Sequence, residues 1–488
     1  MEEDSPGGSA EAGDVVRGER FSGGPARGFL SSLAADERLF EADLAVDRAH
    51  LVMLVEQEIV STSDARQIVQ ALDAIEQAGH EGLPAGEDVH AAIETAVIDR
   101  VGPPGGRLHT ARSRNDEVAT CIRHRLRADI LSLLGAVVGL GEALGTLAES
   151  HRETTMPGLT HLQPAQPTTL AQHLCSYEAS FGRDCERLLD AFERTNRSPL
   201  GAAAFAGTPF DIDRERTASL LGFDGLVENA MDAVSARDFL VETTAAVATT
   251  ATHLSGLAAD VILFANKGYV RLADDYASTS SIMPQKVNPD SMELVRGSAG
   301  DAGAGLQGML TTLKGLPRAY NRDLQRVHGH AFDAIDSVQE ATEVATGALE
   351  TADWQPDRLA EAAAAGGSTA TGVADLLAMN GVPFRSAHRL VAAVAEEGLT
   401  YDRLAEAAAE LLAEPLSTYV DAEQVAAARE PTQSVASRDS RGGPASSAID
   451  AQLERLGRRL AAHRSRRDRH EQAVADAGER LREVSGDL

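Results

Sequence analysis

A chain of 488 residues has room for about three domains, and a hydrophobic fraction of 43% is enough for a sizeable core. The 45 basic and 74 acidic residues give a formal charge of −29, which argues against a basic face that binds nucleic acid. An acidic surface of this kind stays soluble in concentrated salt, where the Debye length falls to about 3 Å. We therefore expect the stability to rise with KCl concentration.

Signals for export, disulfide formation and membrane insertion are missing from the sequence. Residues 1–17 are acidic and rich in Gly and Ser, unlike a secretory signal, and we expect a flexible extension there. The most apolar stretch, residues 130–141, is too short to cross a hydrocarbon core of about 30 Å. The three cysteines are scattered and form no CxxC motif. The sequence therefore predicts a cytoplasmic protein with no membrane partner.

The spacing of apolar residues divides the chain into three helical regions. Short helical patterns fill residues 18–110, which we interpret as an N-terminal domain. Residues 111–353 contain four long patterns, at 117–149, 172–194, 238–266 and 292–312. Helices of such length far exceed the usual mean of about 11–12 residues and favour an elongated antiparallel bundle. Residues 354–488 carry shorter helices and a charged tail. Because strand alternation is nearly absent, the sequence predicts an all-α fold of three helical domains.

The first of three segments rich in functional groups is residues 112–116, directly ahead of the first long pattern. Arg112, Arg114 and Asn115 offer hydrogen-bond donors there, and a helix N-terminus adds unpaired backbone N–H groups. This combination suits a carboxylate ligand. The alternative is an ordinary Asn/Asp helix cap with solvated arginines.

The second segment, residues 158–167, holds a single histidine, His161, among Thr and Gln and between prolines. An imidazole positioned in this way can serve as an acid or base near neutral pH. The alternative is a histidine whose hydrogen bonds are satisfied locally.

The third segment is residues 280–289, just ahead of the fourth long pattern. Lys286 is one of only three lysines in the chain and follows Ser280 by six residues. A lysine in a sequence that otherwise uses arginine indicates that a compact point charge is needed at that position. A flexible loop without a special role is the alternative.

Other catalytic templates do not match. The sequence has no GxSxG elbow, no HExxH motif and no P-loop, and His90 is a lone histidine of a kind that is more often structural. The remaining groups bind anions through Arg, Asn and Lys and can transfer protons through Ser and His. This inventory fits proton abstraction next to a carboxylate, followed by loss of a leaving group.

The segment 280–289 resembles the signature SSxMPxKxNP of the fumarase/aspartase superfamily of lyases. Within that superfamily, segments 113–116 and 158–167 are similar to those of the argininosuccinate lyases. Further matches lie at 20–24, 229–235 and 319–325, and the resemblance covers about residues 18–460. It implies reversible β-elimination of argininosuccinate to arginine and fumarate, without a metal or an organic cofactor. It also implies a homotetramer in which each active site combines segments from three subunits.

The resemblance also assigns roles in the chemistry. Ser280 matches the proposed base, which takes the β-proton of the succinyl group. Lys286 and Asn288 match groups that stabilise the resulting aci-carboxylate. His161, with Thr160, matches the acid side, where the guanidinium nitrogen departs.

Five further residues match substrate-binding positions of the family. Ser113, Arg114 and Asn115 correspond to groups that hold the carboxylates of the substrate. Tyr320 and Gln325 correspond to groups that contact the arginine half.

The chain departs from the family pattern at several positions. Glu117 stands where Gln is usual, Cys121 where Asp is usual, and His328 where a Lys often contacts substrate. Thr279 replaces a common Gly, and the N-terminal motif carries Arg17 and Glu19 instead of Trp and Gly. Two alternatives stay open: a sister lyase that acts on another fumarate-linked substrate, and a crystallin-like relative with little activity. Release of fumarate from argininosuccinate distinguishes them.

Overall fold

The computed structural model describes residues 27–395 and 398–488. The predicted extension at 1–17, the segment 20–24, Arg17 and Glu19 therefore lie outside the described residues. The helices are α1 Arg27–Leu30, α2 Phe40–Glu56, α3 Thr62–Ala78, α4 Val89–Val101, α5 Arg114–Ser150, α6 Leu170–Thr195, α7 Arg214–Leu220, α8 Ala230–Ser235, α9 Asp238–Lys267, α10 Asp290–Leu313, α11 His328–Glu350, α12 Pro356–Ala364, α13 Ala370–Met379, α14 Phe384–Val394, α15 Tyr401–Leu411, α16 Ala422–Ala428, α17 Pro431–Ala436 and α18 Ser446–Gly486.

Across the described ranges, three small antiparallel sheets lie in the connections between helices. The paired strands are β1 Thr155–Thr160 with β2 Gln163–Thr169, β3 Val270–Arg271 with β6 Asp353–Trp354, and β4 Ser278–Thr279 with β5 Val287–Asn288. In the first sheet Thr160 is opposite Gln163, and in the third Thr279 is opposite Val287. Two of the three functional segments thus lie on β-hairpins, which the sequence analysis did not predict.

The centre of the fold is a bundle of long helices, so the predicted all-α class is confirmed. The four long patterns correspond to α5, α6, α9 and α10. A fifth long helix, α11, packs on α5, α9 and α10 and was not predicted. Its buried Phe332, Ile335 and Val338 have helical spacing, but the many alanines around them weaken the apolar signal.

Contacts between the helix ends show that the bundle has two distinct ends. Near one end, the Arg123 guanidinium on α5 lies 3.8 Å from the ring centre of Phe239 at the start of α9 and donates to the Thr195 carbonyl at the end of α6. Near the other end, the Trp354 ring lies about 6 Å from both His151, after α5, and Phe264, on α9. We call the first the pocket end, where α5, α9 and α11 begin, and the second the loop end, where they finish.

Two bundle helices, α5 and α9, are long and apolar enough to cross a membrane by length and composition alone. The shortness of the apolar run 130–141 therefore does not by itself exclude a membrane span. Both helices contribute much of the largest hydrophobic core, with Leu133, Leu134, Val247 and Leu254 fully buried. Core helices of globular proteins have this same composition, so the two helices are weak evidence for a membrane.

The C-terminal part of the chain packs in two places. Residues between Val373 and Val425 form a separate hydrophobic core. The last helix, α18, instead packs along α5 and α6, with Leu460 directly over Gly141 and Arg466 2.8 Å from Glu193. The domain boundaries at 17/18, 110/111 and 353/354 stay a prediction.

Candidate active site

The segment 113–116 begins the longest bundle helix at the pocket end. The Ser113 Oγ accepts the Asn115 N–H at 3.3 Å, and the Asp116 carboxylate accepts the Ser113 N–H at 2.9 Å, which makes a reciprocal helix cap. The second Asp116 oxygen accepts the N–H groups of Gly201 and Ala203, both at 2.9 Å. The helix is therefore capped by Ser113 together with Asp116, which fixes the segment in place. The alternative of an Asn/Asp cap with solvated arginines does not hold, because Arg112 is buried.

Arg114 points from this cap into a cavity of about 220 Å³, together with Asn115, Tyr320, Gln325 and His328. The Arg114 guanidinium donates to both oxygens of Asp88, at 2.9 and 2.7 Å. The structure therefore gathers four of the five predicted substrate-binding residues of this group, while Ser113 caps the helix beside them. Because Asp88 already pairs with Arg114, part of the positive charge of the Arg114 guanidinium is compensated before any substrate binds.

His328 also lines the cavity, and its imidazole lies 3.7 Å from the carboxylate of Asp36. Only 8% of its side chain is exposed. Gln325 donates to the backbone carbonyl of Leu30 at 3.3 Å. The part of the cavity lining that carries Gln325 is therefore hydrogen-bonded to the end of α1.

Behind the cavity lies a network of buried charges that the sequence analysis missed. The Arg112 guanidinium contacts Asp47 at 2.6 Å and Glu117 at 2.9 Å, and the exposed fraction of all three side chains is at most 3%. Burial raises the pKa of Glu117 to about 8 and that of Asp47 to about 7, although Arg112 opposes both shifts. At neutral pH a proton is therefore shared between the carboxyl groups of Asp47 and Glu117.

A second buried group adjoins the first. His90 Nδ1 lies 2.8 Å from the Asp43 carboxylate, and the Cys121 thiol donates to the same carboxylate oxygen at 3.3 Å. Burial opposes protonation of His90, but the nearby carboxylates, Asp43 above all, outweigh it and raise its pKa to about 10. Glu117 and Cys121, two departures from the family pattern, both belong to these groups. The available signal was the pair Asp43 and Asp47, one turn apart in a helix that is mostly apolar.

His161 occupies the tip of the hairpin formed by β1 and β2, at the loop end. His161 and Leu162 both have left-handed backbone angles, with φ of 55° and 61°, as a two-residue hairpin turn requires. Residues other than Gly and Asn pay for this conformation, of the order of 1 kcal/mol each. The imidazole and Thr160 are exposed, so the turn presents them outward.

Ser280 lies in the second loop at this end, between β4 and β5. Its Oγ accepts the backbone N–H groups of Ile282 at 3.3 Å and Met283 at 3.1 Å. Its own N–H donates to the Lys286 carbonyl at 3.1 Å, which closes the loop into a compact turn. Two N–H donors at one hydroxyl oxygen stabilise negative charge on it, so the local geometry favours an alkoxide.

The predicted site residues therefore fall into two groups within one chain. Ser113, Arg114, Asn115, Tyr320 and Gln325 lie at the pocket end, whereas Thr160, His161, Ser280, Lys286 and Asn288 lie at the loop end. The 37 residues of α5 run from Arg114 toward the β1–β2 hairpin and span about 55 Å. The 24 residues of α10 span about 36 Å between the Ser280 loop and the segment of Tyr320. One subunit does not bring the two groups together.

Comparison with known proteins gives the same family at the level of sequence and fold. A lyase family matches residues 30–302, and an argininosuccinate lyase C-terminal family matches residues 367–436. The argininosuccinate lyase of Natronomonas pharaonis is 65% identical over 480 residues, 98% of each chain. That of Haloarcula marismortui is 62% identical over 472 residues, 96% of this chain and 95% of the relative. A solved EDDS lyase in complex with formate has a TM-score of 0.84 at 31% identity, covering 92% of both chains.

The bundle of long helices and the matched lyase region define an enzyme of the fumarase/aspartase superfamily, a lyase that acts on a small-molecule substrate. The chain belongs to the argininosuccinate lyase family. The family predicted from the motifs is therefore confirmed. The halophilic archaeal source of these relatives also agrees with the formal charge of −29.

Proposed function

We propose that the protein catalyses the reversible β-elimination of argininosuccinate to L-arginine and fumarate, the last step of arginine biosynthesis, in the cytoplasm. The near full-length identity of 65% to an argininosuccinate lyase supports this reaction. The proposed chemistry breaks one C–N bond and uses neither a metal nor an organic cofactor.

In the proposed mechanism, Ser280 takes the β-proton of the succinyl group as an alkoxide. The observation that carries this assignment is the pair of backbone N–H groups, from Ile282 and Met283, that Ser280 Oγ accepts. Such donors act before the reaction starts and therefore lower the cost of ionising a hydroxyl. Lys286 and Asn288, from the same loop, then stabilise the aci-carboxylate as its second negative charge develops.

The electron pair of the broken C–H bond forms the double bond of fumarate as the C–N bond cleaves. His161, with Thr160, assists proton delivery to the departing guanidinium nitrogen. Ser113, Arg114 and Asn115 hold the carboxylates of the substrate, and Tyr320 and Gln325 contact its arginine half. Asp88 already compensates part of the positive charge of Arg114. Arg114 therefore holds the carboxylate of the product less tightly, and the product can leave after the reaction.

This mechanism requires an oligomer with composite active sites, because the two groups lie at opposite ends of one subunit. We propose the homotetramer that the family resemblance implies. The exposed face of α10 supports such an assembly. Leu294 is 79% exposed and Leu310 is 47% exposed, and Gly297, Gly300 and Gly303 between them have open space where a side chain would lie. Small residues flanked by leucines allow helices of different subunits to pack closely. In the proposed assembly, loop-end segments of two other subunits meet the pocket end of one subunit.

The test is product analysis with purified protein in concentrated KCl. We expect equimolar fumarate, followed by its absorbance, and arginine, quantified separately, from argininosuccinate but not from adenylosuccinate. Absence of fumarate, or release only from adenylosuccinate, would overturn the proposal. Ser280→Ala is the matched control, because it removes one exposed-loop hydroxyl and leaves the helical core intact.

A further inference from the structure

Three buried side chains from three helices converge behind the pocket-end cavity: Asp43 of α2, His90 of α4 and Cys121 of α5. Their exposed fractions are 1%, 3% and 0%. Each offers one atom of a kind that binds transition metals, namely a carboxylate oxygen, an imidazole nitrogen and a sulfur. We call them the His–Asp–Cys cluster.

The spacing within the cluster suits a single ion. One ligand atom from each residue lies within 4.8 Å of the other two. In a tetrahedral zinc site with bonds of about 2.0–2.3 Å, donor atoms are about 3.3–3.8 Å apart. The contacts of Asp43 with His90 at 2.8 Å and with Cys121 at 3.3 Å need only small rearrangements to reach that spacing.

An independent feature is the second oxygen of Asp43. This Oδ2 is buried and has no hydrogen-bond partner in the part of the chain that the structure describes. The His90 Nδ1 also lacks a well-aligned hydrogen bond, despite its short distance from Asp43. Buried polar atoms without partners are costly, and a bound cation would satisfy both atoms at once.

A neighbouring group of carboxylates, Asp43, Asp47 and Glu117, is a poorer candidate. The Arg112 guanidinium contacts both Asp47 and Glu117, so a positive charge already occupies the position between them. No ion pair joins Arg112 to Asp43 among the described residues. The partners of Asp43 are instead His90 and Cys121, which leaves the His–Asp–Cys cluster available.

We propose that Asp43, His90 and Cys121 bind a soft divalent cation of the Zn²⁺ class. On binding, Zn²⁺ forms bonds to the imidazole nitrogen, the carboxylate and the sulfur, and the thiol proton of Cys121 leaves to solvent as the thiolate forms. His90 also lines the cavity, which provides a route for entry. The site is separate from the proposed elimination, which uses no metal.

The test uses Co²⁺ as a spectroscopic probe on the full chain, first treated with a chelator. We expect one Co²⁺ per chain and a thiolate-to-cobalt charge-transfer band that Zn²⁺ abolishes by competition. The Cys121→Ser variant should lose the band. The matched control is the double variant Cys175→Ala, Cys185→Ala, which removes the two other buried thiols and should keep it.

The readout does not depend on enzymatic activity, so its failure is distinguishable from failure of the proposed function. A wild-type protein without the band would overturn the proposal, as would a band that survives in Cys121→Ser or disappears in the double variant. If Cys121→Ser fails to fold by circular dichroism, the double variant decides alone, because Cys121 is then the one thiol left in the chain.

Discussion

The pocket end and the loop end use opposite means to position their functional groups. At the pocket end, Arg114 is held by Asp88, and its helix is capped by Ser113 and Asp116 in front of a buried charge network. At the loop end, His161 and Ser280 lie on short hairpins that are held mainly by their own backbone hydrogen bonds. One end is a preformed cavity, whereas the other presents exposed groups.

This difference explains how a site can be divided among subunits. The residues proposed to bind the substrate need fixed charges and therefore a buried framework. The groups proposed to move protons need close approach to the substrate and exclusion of water, which a loop from another subunit can supply when it docks.

Removing a proton-transfer group at the loop end should abolish most activity without affecting stability. We expect Ser280→Ala and His161→Asn each to lower kcat by at least about 100-fold, in line with general acid–base contributions. Steady-state kinetics measure the effect, and thermal unfolding in KCl provides the control. Full activity in either variant would remove the assigned role of that residue.

Changing the cap at the pocket end should affect stability first. Asp116→Asn would turn an amide N–H₂ toward the N–H groups of Gly201 and Ala203, which both donate to Asp116. We expect a loss of about 2 kcal/mol in the free energy of unfolding. Asp421→Asn is the matched control, because Asp421 caps α16 at the surface and Asn caps about as well. Equal stability of the two variants would contradict the account.

Distorting the loop-end hairpin should impair catalysis more than folding. A Cβ at Gly158 would lie 2.7 Å from the Gln166 carbonyl oxygen, within the bulge of the β1–β2 pair. We expect Gly158→Ala to displace His161 and lower kcat about tenfold. Gly478→Ala on α18 has no atom within 4 Å of its new Cβ and should leave kcat unchanged. A variant at Gly158 with normal kcat would show that the hairpin tolerates the strain.

The smallest effect concerns the pH dependence of stability at the pocket end. Burial raises the pKa of Glu117 to about 8, so between its usual value of 4.5 and 8 the folded chain keeps a proton that the unfolded chain has lost. The free energy of unfolding therefore falls as pH rises through this range. Glu117→Gln should make the pH dependence of the free energy of unfolding shallower by about 0.5 kcal/mol per pH unit. The change is smaller than that for one whole proton, because Asp47 becomes partly protonated when Glu117 is removed. Urea unfolding at pH 5, 6.5 and 8 measures the slope; an unchanged slope would contradict the stored proton.

The helices and the motif loops could be predicted because their signals are local. The long apolar patterns of α5, α6, α9 and α10 each lie within one segment, and the loop at 280–289 carries its signature in ten consecutive residues. The two ends of the bundle also follow from helix length once the helices are known. Local pattern therefore accounts for the fold class and for the choice of functional segments.

The buried network could not be predicted because its members come from distant parts of the chain. Asp47 and Arg112 are separated by the whole of α3 and α4. The segment 112–116 marks Arg112 as a donor, but nothing in it indicates that the guanidinium contacts Asp47 and Glu117 and not a ligand. Likewise, the strands beside His161 contain Gly and several prolines, which argue against a strand in a sequence. The strands beside Ser280 have only two residues each, too few for alternation to be visible. Glu117 and Cys121 are isolated departures from the family pattern in the sequence. Their role becomes clear only from the packing of α2 against α5.

We propose that the pocket-end and loop-end residues of each active site come from different subunits. The most direct measurement mixes two inactive variants, Arg114→Ala and Ser280→Ala, dissociates and reassembles them, and assays fumarate release. If the ends come from different subunits, random reassembly should restore about a quarter of the wild-type activity, because that share of sites draws both ends from unaltered positions. Activity that stays at the level of the unmixed variants, with mixed oligomers demonstrated by mass, would contradict the account.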